Sequence, residues 1–126
     1  MPFSVLIVDD CAMMRTVIRR ILGMSGFEMA ECYMAGDGDE ALAMMRRHRV
    51  DLVLSDVNMP RLDGEGLLQQ LAADSELCGV PVVMVTSDAT HNRASRLLGM
   101  GARGYITKPF QPERLRAELE RILEVA

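Results

Sequence analysis

At 126 residues the chain fits one domain with a respectable core and leaves no room for a second of useful size. Its 14 basic and 18 acidic residues give a formal net charge of -4, which argues against a nucleic-acid footprint, and no apolar run approaches a membrane span of roughly 18 residues. Three scattered cysteines, Cys11, Cys32 and Cys78, lack a CxxC spacing, so neither a disulfide framework nor a zinc site is expected.

The opening Met1-Pro2-Phe3-Ser4 carries no secretory pattern and leads almost directly into a strand, Val5 to Val8, which predicts a cytoplasmic protein. Met13, Met14, Val17, Ile18, Ile21 and Leu22 then recur at helical spacing, with Gly23 and Gly26 bracketing the helix end. Phe27 to Tyr33 is a poorer strand of mixed polarity, suited to a sheet edge. Asp37-Gly38-Asp39-Glu40 opens a second helix with acids in its first turn. Leu52 to Ser55 is a short apolar run of the kind buried inside a parallel sheet. The loop from Pro60 to Gly64 leads to a helix carrying Leu67, Leu68 and Leu71.

Val80 to Val85 is a fourth strand ending at Thr86-Ser87, followed by a short helix from His91 to Leu98 stopped by Gly99 and Gly101. Arg103 to Thr107 is a fifth strand, and Lys108-Pro109-Phe110 connects it to a last helix starting near Pro112. That helix is expected to bury Leu115, Leu119, Ile122 and Leu123. Strand and helix alternate five times, which implies a parallel sheet covered on both faces with right-handed crossovers. Residues 1–126 form one such unit, without repeat or linker. The eleven methionines read first as adaptable core filling.

Asp9-Asp10 and Asp56 each end an apolar strand, where open α/β sheets place their ligand crevice. Three carboxylates on one rim require a cation, which points to a metal site with a chemical purpose. Thr86-Ser87 and Lys108 end two further strands on the same rim. Singly, each residue has a plainer role: the acids can cap a helix, and the lysine can be an ordinary ion-pair partner.

Together, Val8-Asp9-Asp10, Asp56 with Asn58-Met59-Pro60 and Asp63-Gly64, Thr86-Ser87, and Lys108-Pro109-Phe110 resemble the receiver domain of two-component response regulators. The likeness spans residues 4–123 and is nearest to the single-domain chemotaxis receivers. It implies a flavodoxin-like doubly wound sheet of five parallel strands, order 2-1-3-4-5, with five helices. It also implies that Asp56 accepts a phosphoryl group from a histidine kinase in a Mg2+-dependent reaction, with Mn2+ able to substitute.

In that resemblance Asp10 binds the ion directly and Asp9 largely through water, while Asp56 and the backbone carbonyl of Asn58 complete the ligands. Lys108 meets the phosphoryl oxygens and Thr86 donates its hydroxyl. Thr86 and Tyr105 form the switch, and Asn58 and Asp88 tune the phosphate's lifetime. The readout face is the fourth helix, fifth strand and fifth helix, where His91, Arg93, Arg96, Arg103, Arg114 and Arg116 lend a basic character. Ala12 departs from the pattern, standing where a small hydroxyl residue is often found. A monomer is expected. Its partners would be a sensor histidine kinase, a flagellar motor switch protein and a phosphatase, with no nucleic acid and no membrane.

Chemotaxis or flagellar motor control is the implied setting. Another phosphorelay, or a receiver excised from a larger regulator, is the alternative. A haloacid-dehalogenase-type phosphatase also forms an aspartyl phosphate, but its paired aspartates lie near the chain start, whereas the counterpart here is Asp56-Val57-Asn58. A flavodoxin-type flavin carrier needs a phosphate-binding loop after the first strand, and Asp9-Asp10-Cys11-Ala12 is electrostatically wrong for that. Self-labelling without turnover of p-nitrophenyl phosphate is therefore expected. Sustained release of p-nitrophenol would assign the chain to the phosphatases instead.

Overall fold

Side chains along a strand point alternately to opposite faces, and here that alternation divides the core in two. The computed structural model describes residues 2–87 and 90–123, without the His91 side chain. In β1 (Phe3–Val8), Val5 and Ile7 enter one cluster and Leu6 and Val8 the other. In β3 (Leu52–Ser55), Leu52 and Leu54 join the first cluster while Val53 joins the second. In β4 (Val82–Thr86), Val83 and Val85 face the first, and Val82 and Met84 the second.

The cluster containing Ile7 and Leu54 is covered by α1 (Ala12–Met24) and α5 (Pro112–Leu123), through Ile18, Leu22, Leu115 and Leu119. The opposite cluster is covered by α2 (Gly38–Arg47), α3 (Gly64–Ala73) and α4 (His91–Gly99), through Leu42, Leu67, Leu71 and Leu97. With β2 (Met29–Ala35) and β5 (Gly104–Thr107), all pairings are parallel and the strand order is β2-β1-β3-β4-β5. This is the doubly wound, flavodoxin-like sheet that the motifs imply.

Register sets the height of the rim. Val8 lies opposite both Ala35 and Ser55, so Asp9 and Asp56 leave the sheet side by side. Ser55 pairs with Met84 and Met84 with Tyr105, while Thr86 and Thr107 form a later rung that lifts Lys108 toward the acids. Helix starts follow the side chains available: Asp37 caps α2 by accepting the Glu40 N–H at 2.9 Å, and Asp63 caps α3 by accepting the Gly66 N–H at 2.8 Å.

Several sequence boundaries move. The second strand begins at Met29 rather than Phe27 and extends to Ala35, and as expected it lies at a sheet edge. The fourth begins at Val82 because Pro81, lacking an N–H, contributes only its carbonyl, which accepts from Val53 at 3.0 Å. The α1 apolar stripe is wider than its buried face: Met13 is 76 % and Val17 41 % exposed. Ile122 and Leu123 are only half-buried at the end of α5. Among the described methionines Met45 and Met84 are buried and Met14, Met29, Met44, Met59 and Met100 pack partly buried against the two clusters, as core filling requires, whereas Met13 and Met24 are exposed.

Leu54 is fully buried under α1 and α5. Leu54→Ala is expected to cost about 3 kcal/mol in urea unfolding, the usual penalty for a cavity at such a site. A loss below about 1 kcal/mol would mean that this layer collapses to refill the space.

Candidate functional site

Asp9 leaves β1 with its N–H donated to the Ala35 carbonyl at 3.1 Å, and Asp56 leaves β3 with its N–H on the Val8 carbonyl at 2.8 Å. Both carboxylates are thus placed by backbone hydrogen bonds continuing the sheet. Asp9 is buried, with Oδ1 accepting the Cys11 N–H at 2.9 Å and Oδ2 accepting from Lys108 Nζ at 3.0 Å. The Lys108 ammonium lies 3.6 Å from Asp56 Oδ1, which also accepts the Val57 N–H at 2.8 Å. Asp10 is exposed and makes no hydrogen bond or ion pair among the described residues.

One oxygen from each of Asp9, Asp10 and Asp56 lies within 4.8 Å of the others. Such a cluster, with one member open to solvent, fits a hard cation that takes a few carboxylates and retains waters. Lys108 supplies one positive charge against three negative ones, so a divalent ion would balance what the chain leaves uncompensated. The acids do not cap α1: its N-cap is Cys11, with no side-chain capping bond.

Burial raises the Asp56 carboxyl above its ordinary 3.8, and the neighbouring Asp9 charge adds to this. The Lys108 cation and the Val57 N–H oppose the rise without cancelling it. Charging Asp56 without a further cation therefore costs more than charging a free carboxylate.

Thr86 is buried at the end of β4, and its carbonyl accepts the Lys108 N–H at 2.7 Å. The lysine's backbone is thus tied to the threonine, and the following Lys108–Pro109 peptide is cis. Tyr105 is half-buried and packs against the α2–α3–α4 cluster, and its carbonyl accepts from Arg114 of α5 at 3.3 Å. Asn58 is exposed two residues beyond Asp56. Asp88 lies outside the described residues.

The structure thus gathers Asp9, Asp10, Asp56 and Lys108 directly, with Thr86 and Asn58 on adjoining segments. On the α4–β5–α5 face, Arg114 pairs with Glu118 and Arg116 with Glu120, each at 2.7 Å, and Arg96 meets Glu65 at 2.6 Å. Much of the basic character of that face is therefore locally neutralised.

Two further residues shape the site, Gly64 and Arg15. Gly64 packs so closely that a Cβ there would lie 2.5 Å from the Asp56 carbonyl oxygen and 2.8 Å from Val57 Cα. Arg15, on α1, donates to the Asp9 carbonyl. The Asp63-Gly64 pair signals the first; nothing local to Arg15 signals the second.

A family model described as the response regulator receiver domain matches residues 5–120. The chemotaxis protein CheY-3 of Vibrio cholerae is 38 % identical over 121 residues, covering 96 % of this chain and 92 % of that protein. The probable transcriptional regulator ycf27 of Guillardia theta is 39 % identical over 122 residues, covering 95 % of this chain but only 45 % of its own length. The CheX-CheY-BeF3-Mg2+ complex from Borrelia burgdorferi superposes with a TM-score of 0.85 at 26 % identity, covering 100 % of this chain and 92 % of that one.

Because the folded-state Asp56 carboxyl lies above its ordinary value, its charge opposes folding at neutral pH, and this opposition vanishes as pH falls through the raised value. Without added metal, Asp56→Asn should raise the melting temperature at neutral pH, with the gain fading by about pH 3.5. An equal gain at both pH values would mean that the charge is not its source.

Proposed function

The chain belongs to the response regulator receiver domain family, and we propose that its Asp56 accepts a phosphoryl group from a histidine kinase in a Mg2+-dependent reaction. The observation that carries this reading is the convergence of Asp9, Asp10, Asp56 and Lys108 at one rim, in a chain matched over residues 5–120. Receiver domains are signalling domains rather than classical enzymes. The chemistry proposed for this one is limited to its own phosphorylation and autodephosphorylation.

In the transfer, an Asp56 carboxylate oxygen attacks phosphorus, the bond to the donor imidazole nitrogen breaks, and that nitrogen keeps the electron pair. The product is an acyl phosphate. Phosphoryl transfer needs charge neutralisation and in-line positioning above all. Lys108 already lies 3.6 Å from the Asp56 oxygen, so its ammonium can follow the charge onto the phosphoryl oxygens. Asp10, Asp9, Asp56 and the Asn58 carbonyl would hold the metal, which when bound neutralises phosphoryl oxygen charge.

Thr86 donates its hydroxyl to the new phosphate and Tyr105 responds by turning further inward, altering the α4–β5–α5 face. Their connection is physical: Thr86 sits two rungs beyond Tyr105's partner Met84 on the neighbouring strand. Asn58, and Asp88 by its place in the sequence, set water's access to the acyl phosphate. The exposed Met13 and Val17 begin just past Asp9-Asp10 and offer the donor protein an apolar foothold.

The whole chain acts as one cytoplasmic receiver, consistent with the absence, among the described residues, of any helix long and apolar enough to cross a membrane. Chemotaxis is the favoured setting because CheY-3 matches this chain over nearly its own full length. A flagellar motor switch protein and a phosphatase are the corresponding partners; the Borrelia burgdorferi complex pairs its CheY with CheX. A receiver serving a larger regulator is the second reading, favoured by the Guillardia theta relative, which extends well beyond the matched region.

Incubation with acetyl phosphate and Mg2+ should add one phosphoryl group to the wild type and none to Asp56→Asn, as read by intact mass. Labelling of the mutant would defeat the assignment. Lys108→Ala should slow labelling by about 100-fold, as expected for removing one preorganised electrostatic partner.

A further inference from the structure

The loop that follows β3 meets the start of α2. Asp37 is fully buried, and its Oδ1 is used in capping α2. Its Oδ2 instead touches the guanidinium of Arg61, which also lies 3.7 Å from Glu40 Oε2. A buried carboxylate is costly unless a cation meets it. Burial pushes the Asp37 carboxyl up, but the Glu40 N–H and the Arg61 cation outweigh that and leave it below its ordinary value.

Arg61 reaches Asp37 from a left-handed backbone, φ 61°, that side-chain-bearing residues rarely adopt. Glycine would hold this turn more easily, so backbone conformation does not explain an arginine here. A second contact lies alongside. The Gly38 N–H donates to the Leu62 carbonyl at 2.8 Å, and a Cβ on Gly38 would stand 2.7 Å from that oxygen.

The loop after Asp56 is therefore fastened to the start of α2 at Arg61 and Leu62. It is closed on itself where the Gly64 N–H meets the Val57 carbonyl at 2.8 Å. Between these fastenings lie Asn58, Met59 and Pro60.

We propose that Arg61 is a positioning residue for this loop: its ion pair with buried Asp37 fixes the backbone of residues 58–60, and with it the Asn58 carbonyl, beside Asp56. The proposal rests on the reading of Asp56 as phosphoacceptor and of the Asn58 carbonyl as a metal ligand. Arg61 reaches the chemistry through Asp37 and the loop backbone, without touching the reacting atoms.

Three variants test it. Arg61→Gly keeps the left-handed turn and removes the guanidinium. Asp37→Asn keeps a capping oxygen for α2 and removes the charge. The double variant leaves no unpaired buried charge, so it decides the matter should either single variant fold poorly. Mg2+ affinity is measured by titration calorimetry on the folded protein, with acyl-phosphate lifetime and melting temperature in parallel.

Each single variant should weaken Mg2+ binding by about tenfold, the low end of what partners of metal ligands contribute. Each should also shorten the lifetime, with the double variant no worse than either single one. Arg61→Lys should restore part of the affinity. Unchanged Mg2+ affinity and lifetime in Arg61→Gly or in the double variant, even with a lowered melting temperature, would overturn the proposal. An effect of Arg61→Gly that Asp37→Asn does not share would overturn it too. A wild type that binds Mg2+ but takes no label at Asp56 would count against the phosphoacceptor reading alone, leaving calorimetry to decide the clamp.

Discussion

Lys108 is the residue on which the arrangement turns. It follows β5, yet its ammonium meets Asp9 from β1 at 3.0 Å and Asp56 from β3 at 3.6 Å, reaching past β4 to do so. Without it, two crowded carboxylates would face each other partly shielded from water, where like charges repel strongly. One cation against three acids is still a deficit. The rim is thereby held together while keeping the net negative charge on which the proposed metal and phosphoryl chemistry rests.

The backbone prepares this balance before any side chain acts. Asp56 and Lys108 are both aimed by main-chain hydrogen bonds, to the Val8 and Thr86 carbonyls. Gly64 lets α3 start directly against the Asp56 carbonyl, where any side chain would collide. Groups delivered by sheet register rather than by long flexible tethers lose little freedom when they bind, which is what preorganised charge stabilisation requires.

Much of this was legible in the residues. Short runs such as Val5 to Val8 and Leu52 to Ser55 could only be buried strands of a parallel sheet, and their terminal acids marked the rim. The edge strand was less legible: Glu31, Cys32 and Tyr33 mix polarity because one side of the strand has no neighbour, so the alternation that marks a strand is blurred. Met13 and Val17 misled in the opposite sense, since helical spacing cannot tell a buried stripe from an exposed apolar flank. Pro81 moved a boundary that hydrophobicity alone had extended. The Arg61–Asp37 contact left no local trace, since the two lie 24 positions apart (61 − 37) in segments joined only by the fold.

The division of the interior carries a consequence of its own. Ile7 and Leu54 belong wholly to the layer under α1 and α5, and Val8 and Val53 wholly to the layer under α2, α3 and α4. The sheet is a partition wall, so a change of hydrophobic volume on one side meets a different set of side chains from a change on the other. A lineage is then free to recarve one outer surface for a new binding companion while the opposite wall keeps its furniture. Both rooms still open onto the same doorway at the strand ends.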